Sequence, residues 1–293
     1  MSVVIESAGK TDVGRVRQNN EDQFLIADLA KQLHIRQTSL SGPELSRWTS
    51  GVVGYLLVVA DGMGGEAGGE FASGLAIETI SWYVAKTMPW FFRYQDGREK
   101  ELEAELRQAV EAVDHAVSGV AAGSRYQRMG TTLTLAYILW PRIYVVNVGD
   151  SRCYLHRGDK FVRVTKDHTV AQRAVDAGLI TAEQAETSGW GHALWNVIGG
   201  GIEGVSPDLY HTTMHPGDEL LLCTDGLTGP VSDDAIAEIL KQSPTAEIAA
   251  SALITAANEA GGKDNITVVV ARTQAAIDPN ITPADGMEAP PKT

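Results

Sequence analysis

The sequence predicts an α+β fold with antiparallel sheets, and three observations carry that prediction. Strand-like and helix-like segments come in blocks rather than in regular βαβ alternation. Four apolar runs between Thr131 and Thr165 follow one another at the spacing of a meander. Two helical patterns lie side by side between Ile77 and Val120. The chain has 293 residues, 44% of them apolar, enough for one large domain with its own core or for two small ones.

Taken in order, Val3 to Asp28 reads as two short strands around the polar turn TDVGRVRQNNED. Residues 31–51 are polar, carry Gly and Pro, and predict an inserted surface loop. Val52 to Ala60 is a nearly continuous, valine-rich run, the pattern of a buried strand. Ile77, Ile80 and Val84 recur at helical spacing, and Pro89 is placed to close that helix. From Glu99 to Val120, Leu102, Leu106, Ala109, Val110, Val113 and Val117 share one helical face, with charges on the other.

The meander follows as TTLTLAYILW, RIYVVNVGD, RCYLHRG and KFVRVT, with Pro141-Arg142 and Arg157-Gly158-Asp159 as turns. Residues 167–205 are less regular and read as an excursion from the sheet, a flap. Strands near Leu209–Met214 and Glu219–Thr224, helices near Ser232–Lys241 and Thr245–Ala260, and a last strand near Asn265–Ala271 complete the domain, set at 1–274. The polar, Pro- and Gly-containing tail, 275–293, predicts disorder.

A formal charge of −13 argues against nucleic-acid and anionic-membrane partners, which both demand basic patches. The same acidity suits either plain solubility or a carboxylate-rich metal site. Cys153 and Cys223 both sit in apolar strand-like runs with no histidine at ligand spacing, which predicts buried, reduced thiols. The first residues lack the basic-then-apolar pattern of a signal peptide, and no uncharged apolar run approaches the ~20 residues that span a bilayer. The expectation is a cytoplasmic protein.

Acidic residues recur at strand boundaries. VVADG runs into Asp61, VVNVGD into Asp150 and LLLCTDG into Asp225; Asp264 precedes ITVVV, and Glu21-Asp22 precedes QFLIA. One such aspartate is ordinarily a turn or cap residue. Several in one domain, if their strand ends converge, would repel one another and take up protons unless divalent cations compensated them. Mg²⁺ and Mn²⁺ favour carboxylate, carbonyl and water ligands. Five glycines in the eight residues after Asp61 leave a backbone able to bend and offer the Gly62 carbonyl. Gly62 to Ala67 also fits the dinucleotide pattern G-x-G-x-x-A. Asp61 would repel a pyrophosphate there, and the region that should hold a second parallel strand is helical.

The segments TDVGRVRQNNED, VVADGMGG, MGTTLT, VVNVGDSRCY, TKDHT, LLLCTDGL and GGKDNITVVV, in this order from about Val3 to Arg272, resemble the metal-dependent serine/threonine protein phosphatases, the PPM or type 2C family, in its bacterial form. The resemblance implies a four-layer αββα sandwich with a binuclear Mn²⁺ or Mg²⁺ centre at one end. It implies that Asp61 bridges two ions, that the Gly62 carbonyl binds the first, and that Asp225 and Asp264 bind the second. Asp22, with Glu21, would ligate an ion or hold its water, a third ion would use Asp150 and Asp225, and Arg17 would bind phosphate. A water bridging the ions would hydrolyse phosphoserine and phosphothreonine on protein substrates, in opposition to a serine/threonine kinase.

Thr131 and Thr132 read as strand-entry and packing residues, Asn265 as a support for Asp264 or its loop, and Asp167-His168, the DH pair of the resemblance, as structural or as supports for neighbouring site residues. Glu66 stands where many bacterial relatives have a histidine that can protonate the leaving alkoxide, so Glu66 is the candidate acid and implies an altered acid step. It also keeps open a pseudophosphatase that binds phosphoprotein without turnover. A phosphatase acting on an anti-sigma-factor antagonist would share the chemistry and differ in substrate.

Overall fold

The computed structural model describes residues 3–34, 47–64, 68–86, 99–123, 126–186, 188–191, 193–201 and 204–275. Two antiparallel sheets stack face to face and helices cover both outer faces. That is the predicted α+β class and the four-layer order αββα.

The chain opens with β1 (Val3–Asp12), β2 (Asp22–His34) and β3 (Arg47–Met63). Helices α1 (Gly68–Lys86) and α2 (Glu99–Ala122) follow. Next come β4 (Gly130–Thr131), β5 (Leu133–Leu139), β6 (Arg142–Val148), β7 (Arg152–Arg157) and β8 (Lys160–Arg163). The flap contains α3 (Val170–Asp176), α4 (Ala182–Glu186) and β9 (Ile198–Gly199). The chain returns through β10 (Asp208–Thr213), β11 (Glu219–Cys223), α5 (Asp225–Thr228), α6 (Asp233–Gln242), α7 (Ala246–Glu259) and β12 (Ile266–Ala275).

One sheet runs β1-β12-β11-β7-β8. The other runs β10-β6-β5-β3-β4-β9, with β2 also paired to β3. Three apolar layers result. Leu57, Val59, Ile138, Leu222 and Val269 fill the space between the sheets. The stripe Leu102, Leu106, Val110, Val113 and Val117 of α2 packs with α1 on one outer face. Leu253, Ile254 and Ala257 of α7 pack with Ile236 and Leu240 on the other. Burial on both faces explains why Val58, Val59, Leu221 and Leu222 read as continuous apolar runs rather than alternating ones.

The structure revises three boundaries. Residues 31–34 and 47–51, expected in an inserted loop, lengthen the β2–β3 hairpin, with Gln32 opposite Thr49 and His34 opposite Arg47. Ladder pairing has overridden a polar composition there; the rest of that insertion, 35–46, lies outside the described residues. Ala275, placed at the start of the tail, belongs to β12 opposite Val3, and 276–293 lie outside the described residues. Pro89 also lies outside them; α1 is described to Lys86. The G-x-G-x-x-A reading fails because, among the described residues, the strand before α1 is paired only antiparallel.

Candidate active site

The carboxylates at the strand boundaries meet at one end of the sandwich. A cleft of about 300 Å³ there is lined by Arg17, Glu21, Asp61, Gly62, Asp150, Asp225 and Asp264, with Met63, Thr132, Leu194 and Asn265 among its other walls. Asp22 lies just behind it, directly opposite Asp61 in the β2–β3 register. Both sheets contribute. Asp22, Asp61 and Asp150 come from the ends of β2, β3 and β6, while Asp225 and Asp264 flank β11 and β12. Of the sequence-predicted residues, only Glu66 is not placed in this cluster; it lies outside the described residues.

Side chains brace several of these positions, some at the carboxylate and some at the backbone. The Asp61 N–H donates to Thr132 Oγ1 at 3.0 Å, and the Thr131 hydroxyl and the Thr132 N–H both donate to the Asp61 carbonyl at 2.9 Å. Thr132 Oγ1 also pairs with Ser151 Oγ at 2.8 Å, beside Asp150. Thr224 donates its hydroxyl to Asp22 Oδ2 at 2.8 Å and accepts from the Thr267 N–H at 3.0 Å. It precedes α5 but makes no cap bond with its side chain. Asn265 accepts from the Glu21 N–H and donates to the carbonyls of Val13 and Asn19, so it brackets the loop that carries Arg17. Its own N–H donates to Asp264 Oδ1, while Arg17 donates to Asp264 Oδ2 at 2.7 Å.

Gly62 serves a different purpose from the expected bend. It is still within β3, its N–H donates to the Glu21 carbonyl, and it pairs with Thr131. A Cβ there would sit 2.1 Å from the Gly69 carbonyl oxygen and 2.6 Å from that of Glu21. The missing side chain lets α1, β2 and β3 crowd together beside Asp61.

The electrostatics are those of negative charge held close together. Burial raises the Asp22 carboxyl to about 7; its hydrogen bonds from Thr224 and Thr267 oppose the rise, and repulsion from Asp225 and Asp264 adds to it. Asp61 is driven well above the usual range by desolvation, then by Asp22, Asp225, Asp150 and Asp264. Arg17 is held more firmly protonated, first by its hydrogen bond and charge contact with Asp264.

The donor set fits hard divalent cations. Asp22 Oδ1 is buried with no hydrogen-bond partner, a costly state for a carboxylate oxygen. Among the described residues, no three Asp, Glu, His or Cys side chains form a ready-made ligand group, so ions here would complete their shells with water and backbone carbonyl. Mg²⁺ behaves in that way, keeping several waters and binding few carboxylates directly.

The sequence reading undervalued the hydroxyls. Thr131, Thr132 and Thr224 were assigned to packing or passed over, yet they hold Asp61 and Asp22. The threonines of MGTTLT, a fully buried stretch running through β4 into β5, are the available signal. Asp167 is bound by Arg152 and Arg163, in agreement with a structural role. Cys153 and Cys223 are free and buried in different apolar layers. Among the described residues, no helix is long and apolar enough to cross a membrane.

A family model described as protein phosphatase 2C matches residues 34–260. Among curated proteins, the serine/threonine protein phosphatase PstP of Mycobacterium tuberculosis is 35% identical over 274 residues, 92% of this chain and 45% of that protein. This chain thus spans about half the length of that relative. The serine/threonine phosphatase stp of Listeria innocua is 31% identical over 89% of this chain and 93% of its own length. Among solved structures, the catalytic domain of PstP in complex with two manganese ions aligns with a TM-score of 0.72 at 34% identity, covering 94% of this chain and all of that one. A serine/threonine phosphatase of S. agalactiae aligns with a TM-score of 0.74 at 28% identity, covering 92% and 99%.

Proposed function

The chain belongs to the protein phosphatase 2C family, and on that premise we propose that it hydrolyses phosphoserine and phosphothreonine on proteins with two Mn²⁺ or Mg²⁺ ions. The observation that carries the reading is the meeting of Asp22, Asp61, Asp150, Asp225 and Asp264 with Arg17 at one end of the sandwich.

Asp61, the Gly62 carbonyl, Asp225 and Asp264 are the residues proposed to hold the two ions, with Asp22 and Glu21 accepting hydrogen bonds from water around them. Asp150 with Asp225 would serve a third ion. Bound ions supply a water of lowered pKa and countercharge for the phosphoryl oxygens. Arg17 presents a planar fork that can hold two phosphoryl oxygens, which a lysine could not match. Asp264 keeps that fork aimed at the carboxylate end of the cleft. Met63 and Leu194 give the cleft an apolar edge against which the substrate chain can lie. Ser151 is committed to Thr132 and both thiols are remote in the cores, so hydrolysis proceeds without a covalent enzyme intermediate.

The substrates under this reading are targets of a serine/threonine kinase, met in the cytoplasm, where Cys153 and Cys223 stay reduced. The catalytic unit is residues 1–274. Glu66 enters as the acid for the leaving alkoxide, a step for which its carboxyl must carry a proton; a carboxylate ionised at neutral pH has none to give. Glu66→His should therefore raise turnover of a phosphoserine peptide more than that of p-nitrophenyl phosphate, whose leaving group needs no proton. An unchanged rate on the peptide would remove Glu66 from the mechanism. The reading as a whole is tested by hydrolysis of p-nitrophenyl phosphate and a phosphothreonine peptide with Mn²⁺ and with EDTA. Metal-dependent release of phosphate from both is expected, and absence of turnover on either with Mn²⁺ present would overturn it.

A further inference from the structure

Asp150 sits on a turn with two braces. On one side, Gly149 has φ +104° and a Cβ there would meet Thr132 Cγ2 at 2.5 Å, so the turn lies hard against the residue that also braces Asp61. On the other side stands His168, which meets Gly149 twice. The Gly149 N–H donates to His168 Nδ1 at 3.2 Å, and the His168 N–H donates to the Gly149 carbonyl at 2.9 Å. Accepting at Nδ1 leaves the ring proton on Nε2, which is buried and lies 3.2 Å from Asp208 Oδ2 without the alignment of a hydrogen bond.

His168 is in turn held by the flap's returning segment. Asn196 Nδ2 lies 2.7 Å from His168 Nδ1, and the Asn196 side chain both donates to the Ser206 carbonyl and accepts from the Ser206 N–H. The Trp195 N–H donates to the His168 carbonyl, and the indole packs on the imidazole at 5.1 Å. His168 and Asn196 are each only 2% exposed. Leu194, next to this pair and bridged to Thr169, lines the cleft. A buried polar pair thus ties the wall formed by the flap to the turn that carries Asp150.

We infer that His168 is a positioning residue for Asp150, acting through Gly149, and that Asn196 makes this position depend on the seating of the flap. The inference rests on the phosphatase reading for the role of Asp150, but the Gly149 brace can be measured without it.

Two variants separate the acceptor from the ring. His168→Asn keeps an oxygen near the place of Nδ1 and loses the stacking on Trp195. His168→Phe keeps the ring and leaves the buried Gly149 N–H without its acceptor. Asn196→Asp removes the Nδ2 donor while still accepting from Ser206. The measurements are kcat on p-nitrophenyl phosphate with Mn²⁺, the melting temperature, and hydrogen exchange of the segment Gly149–Ser151. His168→Phe and Asn196→Asp should lose ~10–100-fold in kcat, while His168→Asn stays within about threefold of wild type. Exchange at Gly149 should quicken in His168→Phe and not in His168→Asn. Activity should follow the acceptor and not the melting temperature. If turnover of the three variants instead ranks with their melting temperatures, or if His168→Phe keeps Gly149 protected, the inference is wrong. Should His168→Phe fail to fold, a wild-type rate in Asn196→Asp would overturn it alone. A wild-type protein inactive with Mn²⁺ would defeat the phosphatase reading, while exchange at Gly149 would still decide for or against the brace.

Discussion

On the floor of the cleft, Asp61 is held by Thr132 across 71 residues of sequence, Asp22 by Thr224 across 202, and Glu21 by Asn265 across 244. On the outer part of the flap, residues 169–191, the side-chain hydrogen bonds join near neighbours: Thr169 with Gln172, Thr181 with Gln184, Ala185 with Ser188. The same segment exposes Leu179 by 77% and Trp190 by 62%, whereas Thr131 and Thr224 on the floor are sealed. Long-range bonds in a buried place cannot be released without opening the sandwich. Short-range bonds at the surface can be rearranged at little cost. The floor therefore keeps a fixed constellation of charge, and the outer part of the flap, beyond the buried His168–Asn196 pair at its base, is the part free to adapt to what docks beside it.

The comparison can be broken by substitutions on each side. The largest effect belongs to the floor's charges: Asp225→Ala should lower kcat on p-nitrophenyl phosphate by ~10²–10³-fold with the fold intact by circular dichroism. A loss under tenfold would mean that Asp225 is not part of the working set. Next comes the brace behind the charges. Thr132→Val keeps the shape but strips the acceptor from the Asp61 N–H and the partner from Ser151. It should cost ~1–3 kcal/mol of stability in chemical denaturation and a measurable part of the turnover, while an unchanged midpoint would show that the hydroxyl is dispensable. The smallest effect belongs to the flap. Trp190→Ser should shift stability by no more than ~0.5 kcal/mol and leave p-nitrophenyl phosphate hydrolysis as it was. A large destabilisation there would erase the distinction between the two regions.

What the sequence made legible follows the same division. Apolar strands ending in aspartate, and a helical stripe such as Leu102 to Val117, are written in consecutive residues, so the elements and the carboxylates at strand ends could be read directly, while the four-layer order rested on the family resemblance. The local T-x-x-Q cap at Thr181–Gln184 is of that kind too. Partnerships across more than seventy residues leave no local trace, which is why Thr132 reads as packing and Thr224 does not stand out in the sequence. The extended β2–β3 hairpin was missed for a related reason: ladder bonds do not depend on side-chain polarity, so a polar segment could still pair. Gly62 shows the limit of residue type alone. Glycine signalled an unusual backbone, but the close approach of Gly69 that demands it is visible only in three dimensions.

The central claim is that these carboxylates are forced together and that divalent cations relieve them. Its sign can be worked out. Asp22 is raised from 3.8 to about 7 by burial, and burial raises Asp61 well above its ordinary value too. Between the unfolded and folded pKa values the native state therefore binds more protons than the unfolded chain, and stability falls as pH rises, by up to ~1.4 kcal/mol per pH unit for each group. The decisive measurement is the free energy of unfolding between pH 5.5 and pH 7.5, with EDTA and with Mn²⁺. The account predicts a loss of stability with rising pH in EDTA, and a gain on adding Mn²⁺ that grows with pH. Stability that rises with pH in EDTA, or a protein that Mn²⁺ leaves unchanged at pH 7.5, would contradict it.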